Sequence, residues 1–302
     1  MPSGSPGNQT LSFLRRRFAE AGIHPRTRLG QNFLIDLNLQ RVLAEAADVG
    51  PGDVVLEVGT GTGGLTALLA ERAAWVVTVE VDPDLARLAA AELAARENVT
   101  MLQVDALKNK NRLNPAVLEE VGRHLAADPG RRLKLASNLP YNVATPILTN
   151  LLAEAAPYSM TVTIQKELAD RIIAPPGTRD YGGLSIWIQS QCRVRIERVM
   201  PPEAFWPRPK VHSAIVQIEL DETLRGRIAD RKWFHDFVRA MFFHRRKYLR
   251  SELLSAFKDR LGKPEVDALM AQLAFPADVR AEQLDVEAML RLSDAVRAAV
   301  GG

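Results

Sequence analysis

The sequence predicts an α/β fold of the Rossmann-like kind, a mostly parallel sheet with helices on both faces, followed by a small all-helical C-terminal domain. Three observations carry this prediction. Short apolar runs alternate with helical patterns from residue 37 to residue 165, as in a parallel sheet buried on both faces. Four successive strands end on Gly59, Glu80, Asp105 and Asn138, at the edge of such a sheet where ligands bind. Beyond about Asp221 the β signals stop, and helical patterns run over 233–257, 264–273 and 286–300.

In chain order, a Gly/Ser/Pro-rich tail over 1–10 precedes a short helix at 11–21. A helix at 37–47 and the turn Pro51-Gly52-Asp53 lead to a buried strand at 54–58. That strand ends in Gly59-Thr60-Gly61-Thr62-Gly63-Gly64 and is followed by a helix at 65–73. Strand 75–79 ends in Glu80-Val81-Asp82, and Pro83 opens the next helix, where its fixed φ is pre-organised. Strand 99–104 ends at Asp105, strand 133–137 at Asn138, and strand 160–165 follows a further helix. Two later β-rich stretches, 192–199 and 214–220, are separated by Pro-rich loops. The domain plan is a flexible N-terminal extension over 1–21, a sheet domain over 22–221 and a helical domain over 222–302.

The composition limits the function classes. The 302 residues are 47% hydrophobic with a net charge of +3, which suits a soluble globular protein. A single cysteine, Cys192, leaves no intramolecular disulfide, and a cytoplasmic, reducing setting is expected. Arg15, Arg16 and Arg17 have no apolar run after them, so no secretory signal is expected. No apolar run reaches the roughly 18 residues of a membrane span. The five histidines are scattered without ligand spacing, so no metal is expected.

Gly59, Gly61 and Gly64 satisfy the pattern G-x-G-x-x-G. Such a loop brings backbone close to a ligand before a helix N-terminus. Glu80, 21 residues after Gly59, can accept both ribose hydroxyls of an adenosine, and Asp105 can accept from an adenine amino group. These carboxylates do not separate NAD from S-adenosylmethionine, and each alone could be a solvated loop residue. Glu57, in or beside the first strand, is a candidate for an indirect contact to the same ligand.

The tetrapeptide Asn138-Leu139-Pro140-Tyr141 separates them better. The lone pair of an adenine N6 amine is delocalised into the ring, so methylation needs that lone pair drawn out of conjugation. The Asn138 oxygen and a backbone carbonyl can each accept one N6–H. Pro140 biases Leu139 to an extended conformation that turns its carbonyl toward the site. Tyr141 offers a face on which a base can stack. A bare N-x-P-Y could equally be a Pro turn over a buried tyrosine.

The ordered set LGQNFL (29–34), EVGTGTGGLT (57–66), VEVD (79–82), DAL (105–107), NLPYNVATPIL (138–148), QKE (165–167), YGGLS (181–185), FWPRPKVHSAIV (205–216) and FFHRRKYLR (242–250) resembles the small-subunit ribosomal RNA adenine dimethyltransferase A family over roughly residues 29–292. The resemblance implies a class I methyltransferase sheet, S-adenosylmethionine as cofactor and N6,N6-dimethylation of adjacent adenines of small-subunit rRNA in an immature 30S-type particle. It implies that Asn32 and Leu34 line the cofactor pocket with Gly59, Gly61, Glu80, Asp105 and Asn138. It also implies that Phe205 stacks on the flipped adenine opposite Tyr141, although a core anchor is an equal reading of that residue. Ser137 departs from the usual Gly before the Asn, and His212 from a common acid. The polar stretch 108–129 is longer than the family pattern and has no assigned role.

Residues 225–250 carry nine Lys and Arg against two Asp, interleaved with aromatics. A basic helix of this kind suits phosphate contacts, with Arg245, Arg246, Lys247 and Arg250 facing RNA. A monomer is expected. The alternatives are a large-subunit rRNA adenine N6-methyltransferase of the antibiotic-resistance type, a non-catalytic ribosome-assembly factor on the same scaffold, and an NAD-dependent oxidoreductase, which leaves residues 138–141 and the basic tail unexplained. DNA adenine and protein glutamine methyltransferases more often carry two prolines before the aromatic.

Overall fold

A computed structural model describes residues 11–26, 29–244 and 247–301. Its central sheet has seven strands: β2 (Asp53–Val58), β3 (Trp75–Val79), β4 (Val99–Leu102), β7 (Arg132–Asn138), β8 (Ser159–Gln165), β9 (Cys192–Met200) and β11 (Ser213–Leu220). Their spatial order is β4-β3-β2-β7-β8-β11-β9. The first five are parallel, and β11 runs antiparallel to β8. All six residues of β2 are buried, as are four of the five in β3, because helices cover both faces. The order reverses between β2 and β7, the topological switch point at which an open α/β sheet binds its ligand.

The covering helices begin on sequence-coded caps. Asp36 accepts from Asn38 N and Leu39 N to open α2 (Leu37–Ala46), and Asp82 accepts from Asp84 N to open α4 (Pro83–Leu93). Each satisfies orphan N–H groups of a first turn. Between them α3 (Gly64–Ala70) follows the glycine loop. α6 (Ala144–Glu154) follows the tetrapeptide, and α7 (Lys166–Ile173) follows β8.

The N-terminal segment departs from the expected flexible extension over 1–21. Residues 1–10 lie outside the described set, but α1 (Leu11–Ala21) is a packed helix. Its Phe18 is buried and meets Phe33 and Trp206 edge-on, each with centroids 5.2 Å apart. Phe33 belongs to β1 (Phe33–Leu34), which pairs antiparallel with β10 (Phe205–Trp206). The stretch without an assigned role forms a hairpin, β5 (Leu107–Asn109) with β6 (Arg112–Leu113), then α5 (Pro115–Ala126), capped by Asn114.

The chain divides into two compact units. One holds the described residues up to Ala169 with Arg195–Glu219, and the other holds Asp170–Val194 with Leu220 onward. Residues 170–194, placed in the sheet domain by the sequence plan, thus group with the C-terminal helices. That second unit contains α8 (Gly183–Gln189), α9 (Glu222–Gly226), α10 (Arg231–Met241), α11 (Leu249–Ala256), α12 (Lys263–Gln272) and α13 (Val286–Ala299). The single helical pattern expected over 233–257 is therefore two helices. Among the described residues no helix is long and apolar enough to cross a membrane.

Candidate functional site

A cleft enclosing about 860 Å³, its open mouth included, lies at the carboxyl ends of β2, β3 and β7. Asn32, Gly59, Gly61, Glu80, Asp105, Asn138, Leu139 and Pro140 all line it. The glycine loop shapes its floor. Gly59 has φ +89° and Gly61 φ +57°, a region that costs a side-chain-bearing residue roughly 1–2 kcal/mol. A Cβ on Gly59 would stand 3.4 Å from Pro140 Cδ, and one on Gly61 would stand 3.4 Å from the Phe33 ring. At both positions the backbone conformation, more than the space, calls for glycine.

Glu80 is buried and accepts from Gly61 N and Asp82 N, each at 2.9 Å. Its two oxygens are each held by one backbone donor, leaving lone pairs for a vicinal diol. Burial pushes its carboxyl above the ordinary range, and backbone donors, Asp82 and Gly61 foremost, oppose this. Asp105 is exposed at the rim, where it accepts from Leu107 N at 2.9 Å. These residues fit the adenosine half of S-adenosylmethionine: a carboxylate for the ribose, a carboxylate for the adenine edge, and a loop without side chains between them.

Behind the loop, Glu57 is fully buried, accepting from Thr66 Oγ1 (2.5 Å) and Thr78 Oγ1 (2.7 Å), and Thr78 bonds Thr60 (2.6 Å). Desolvation pushes Glu57 up to about 8 against these hydrogen bonds. The folded state then keeps a proton that the unfolded chain releases above its pKa of 4.5. Glu57 consequently costs nothing below pH 4.5, and it costs stability progressively as pH rises through the folded value near 8. Glu57→Gln should flatten the decline in unfolding free energy over that window in denaturant titrations. Parallel pH profiles for the variant and the parent would refute the shift.

Asn138, at the end of β7, is held by one bond: its Nδ2 donates to Asn32 O at 2.9 Å. A backbone carbonyl only accepts, so this contact fixes which end of the amide is the oxygen. Asn138 Oδ1 is buried and has no hydrogen-bond partner among the described residues. Of the buried polar side-chain atoms in that condition, it is the one whose residue lines the cleft. An unpartnered buried acceptor costs roughly 1–3 kcal/mol, and a substrate N–H donor would recover that cost. Leu139 is anchored through its N–H to Thr163 O at 3.2 Å, and the Pro140 carbonyl accepts from Val143 N at 3.1 Å. Ser137, the departure from the common Gly, bonds the Val58 carbonyl at 2.6 Å and joins β2 to β7 behind the site.

Tyr141 lies between two cleft residues without lining the cleft. Its hydroxyl bonds Ser213 Oγ at 2.6 Å, and burial raises its pKa. Two expected site residues, Leu34 and Phe205, do not line the cleft. The β1–β10 pairing sets Leu34 opposite Phe205, and both side chains pack in the apolar core with Leu43, Met200 and Ile215. Phe205 is 2% exposed and packs as a core anchor, so the structure leaves no face of its ring open to an adenine. Leu34 likewise supplies no side chain to the cleft.

Of the four residues expected to face RNA, Arg245 and Arg246 lie outside the described residues, and Lys247 is exposed. Arg250 makes a two-pronged bond to Asp267, with Nε–Oδ1 at 2.5 Å and Nη2–Oδ2 at 2.9 Å, fastening α11 to α12. Elsewhere in that stretch Arg227 pairs with Glu287, Lys232 with Asp236, and Arg225 is buried.

Sequence reasoning missed the strap that closes one side of the cleft. Gln31 Nε2 donates to Asp82 Oδ2 (3.0 Å), Gln31 Oε1 accepts from Arg26 N (2.7 Å), and Arg26 Nη2 reaches Asp84 (2.9 Å). Gly30 lies so close to Asn142 that a Cβ would stand 2.6 Å from its Oδ1. The only sequence signal for this was a polar, glycine-containing LGQN segment.

With this geometry established, the chain can be compared with known proteins. The ribosomal RNA adenine dimethylase family matches residues 23–296. The ribosomal RNA small subunit methyltransferase A of Streptococcus gordonii is 37% identical over 272 residues, covering 89% of this chain and 90% of its own length. That of Pediococcus pentosaceus is 36% identical over 293 residues, covering 96% and 95%. Among solved structures, a dimethyladenosine transferase from Plasmodium falciparum superposes with a TM-score of 0.70 at 22% identity, covering 85% of this chain and 94% of its own. The 23S rRNA methyltransferase ErmE superposes with a TM-score of 0.59 at 23% identity, covering 87% and 98%. The two superpositions share the class I methyltransferase sheet, and the match along nearly the whole chain makes this protein a member of the ribosomal RNA adenine dimethylase family.

Proposed function

We propose that the protein transfers methyl groups from S-adenosylmethionine to the N6 amines of adjacent adenines in small-subunit rRNA, yielding N6,N6-dimethyladenosine during ribosome assembly. The observation that carries this reading is the unpartnered Asn138 Oδ1 in the wall of the cleft. When bound, the cofactor supplies a methyl group already activated by its sulfonium charge.

The chain's own residues do the rest by position. In the first transfer Asn138 Oδ1 accepts one N6–H and the Leu139 carbonyl the other, the Pro140 carbonyl being committed to Val143 N; in the second, the monomethylated amine has a single N6–H left to donate. Two acceptors on one amine draw its lone pair out of conjugation with the ring and direct it along the fourth tetrahedral axis. No general base is needed while the bond forms, because the methylated cation is acidic and releases its proton to water. Orientation of this kind is worth at most about 7–11 kcal/mol. Tyr141, tethered by Ser213, supplies a stacking face, and Glu80 and Asp105 hold the adenosine end of the cofactor. Lys247, with Arg245 and Arg246, contacts the RNA backbone, and a cytoplasmic monomer is the working form.

The relatives of the same name at 36–37% identity favour small-subunit rRNA over the large-subunit alternative. The test is transfer from labelled S-adenosylmethionine to two acceptors: immature small-subunit particles from a methylation-deficient strain, and protein-free large-subunit rRNA. The expected result is label on the particles alone. Label on the large-subunit RNA alone would replace this reading with the resistance-type activity. No label on either, with cofactor binding intact, would leave an assembly factor without catalysis.

A further inference from the structure

The β5–β6 hairpin is used by nothing above, yet it adjoins the cleft directly: Asp105, Ala106 and Leu107 line the cleft, and the chain turns back at Lys108-Asn109-Lys110-Asn111-Arg112. These five residues are all exposed. Three are cationic, two are amides, and no acid occurs from Ala106 to Leu118. Among the described residues no ion pair engages Lys108, Lys110 or Arg112. Other arginines of the same unit behave differently: Arg26, Arg87, Arg96, Arg123 and Arg132 each pair with a carboxylate.

The hairpin backbone is nevertheless held firmly. Asn111 N donates to Asn109 Oδ1 (2.9 Å), and Leu113 N to Glu154 Oε1 (3.0 Å). Asn150 Nδ2 reaches Lys110 O (3.3 Å), and Asn114 Nδ2 reaches Asp105 O (2.8 Å). Leu113 is buried as the anchor beneath. A fixed turn that projects three cations without an ion pair into water at the edge of a binding cleft carries a cost in self-repulsion. We propose that this hairpin grips backbone phosphates of the substrate RNA next to the target adenine, a contact surface separate from the basic stretch of residues 225–250. The proposal rests on the rRNA-adenine reading above. Its chemistry is that of phosphate positioning, since the tip offers point charges and amides and no aromatic face for base readout.

The test is the full-length triple variant Lys108→Gln, Lys110→Gln, Arg112→Gln, assayed on immature small-subunit particles over a range of salt concentrations. All three side chains are exposed, and cofactor affinity measured by calorimetry should equal that of the parent. The particle KM should rise about tenfold with kcat unchanged. The slope of log affinity against log salt should fall in magnitude by about 2 to 3, as for three lost phosphate contacts. A charge-preserving variant, Lys108→Arg, Lys110→Arg, Arg112→Lys, should restore the parent values. An unchanged KM and salt slope in the glutamine variant, with the parent active, would overturn the hairpin contact and leave the enzymatic reading standing. A fall in kcat at constant KM would overturn it as well. A parent that methylates no RNA would instead defeat the reading on which the proposal rests.

Discussion

Asn138→Ala should reduce single-turnover methyl transfer about 10²- to 10³-fold, the usual loss when one preorganised polar contact to a reacting centre is removed. Cofactor affinity should fall far less. The variant loses the Nδ2 contact to Asn32 O, one hydrogen bond worth roughly 1 kcal/mol, or about fivefold. RNA affinity should be nearly unchanged. Asn138→Asp separates the two ends of the amide. It keeps an acceptor toward the amine but cannot donate to the Asn32 carbonyl, and it places an unpaired charge in a buried position. A turnover loss in Asn138→Ala no larger than its loss of cofactor affinity would show that the side chain binds and does not position the amine.

The second large effect lies at the opposite ends of the same strands. Asp53, the first residue of β2, is fully buried, and its Oδ2 lies 3.1 Å from the buried Lys134 ammonium of β7. Its Oδ1 bonds Arg132 at 2.9 Å, and Oδ2 also accepts from Gly50 N at 2.9 Å. The Arg132 guanidinium rests 4.3 Å from the centroid of Tyr158, and Lys134 is further held by the Asp48 carbonyl. Asp53→Ala removes the one carboxylate of this group and leaves a buried cation uncompensated. The expected cost is about 3–5 kcal/mol of unfolding free energy in urea titrations. Cofactor affinity of the folded variant should match the parent, because the group lies at the amino ends of β2 and β7 and the cleft at their carboxyl ends. A loss below about 1 kcal/mol would mean that the backbone carbonyls alone satisfy Lys134.

Much of this architecture was legible in the sequence because it depends on local pattern. The runs VVLEV and WVVTV, Pro83 at the start of its helix, and the glycine loop each announce themselves within a few residues. Gly59, Glu80 and Asn138 at strand ends, and Asp105 three residues beyond β4, then fall at one edge of the sheet as a consequence of parallel topology. What was not legible depends on pairings across long stretches of chain. The burial of Phe205 follows from β1 meeting β10, about 170 residues apart, and two-residue strands carry no periodicity. Arg250 reads as one more cation in a basic run, and only the approach of α12 shows its pairing with Asp267. The strap from Arg26 through Gln31 to Asp82 is likewise a tertiary event among ordinary polar residues. The β5–β6 hairpin was invisible for a different reason: five polar residues without a Gly or Pro at the tip read as a solvated loop.

The central claim is that the Asn138 oxygen and the Leu139 carbonyl select an exocyclic adenine amine. The most direct measurement is nucleoside mass spectrometry of immature small-subunit particles after reaction with isotopically labelled S-adenosylmethionine, locating the labelled methyl groups atom by atom. The account predicts two labelled methyls on N6 of the same adenosine. Label on a ring carbon, a ring nitrogen or the ribose 2′-oxygen would contradict it.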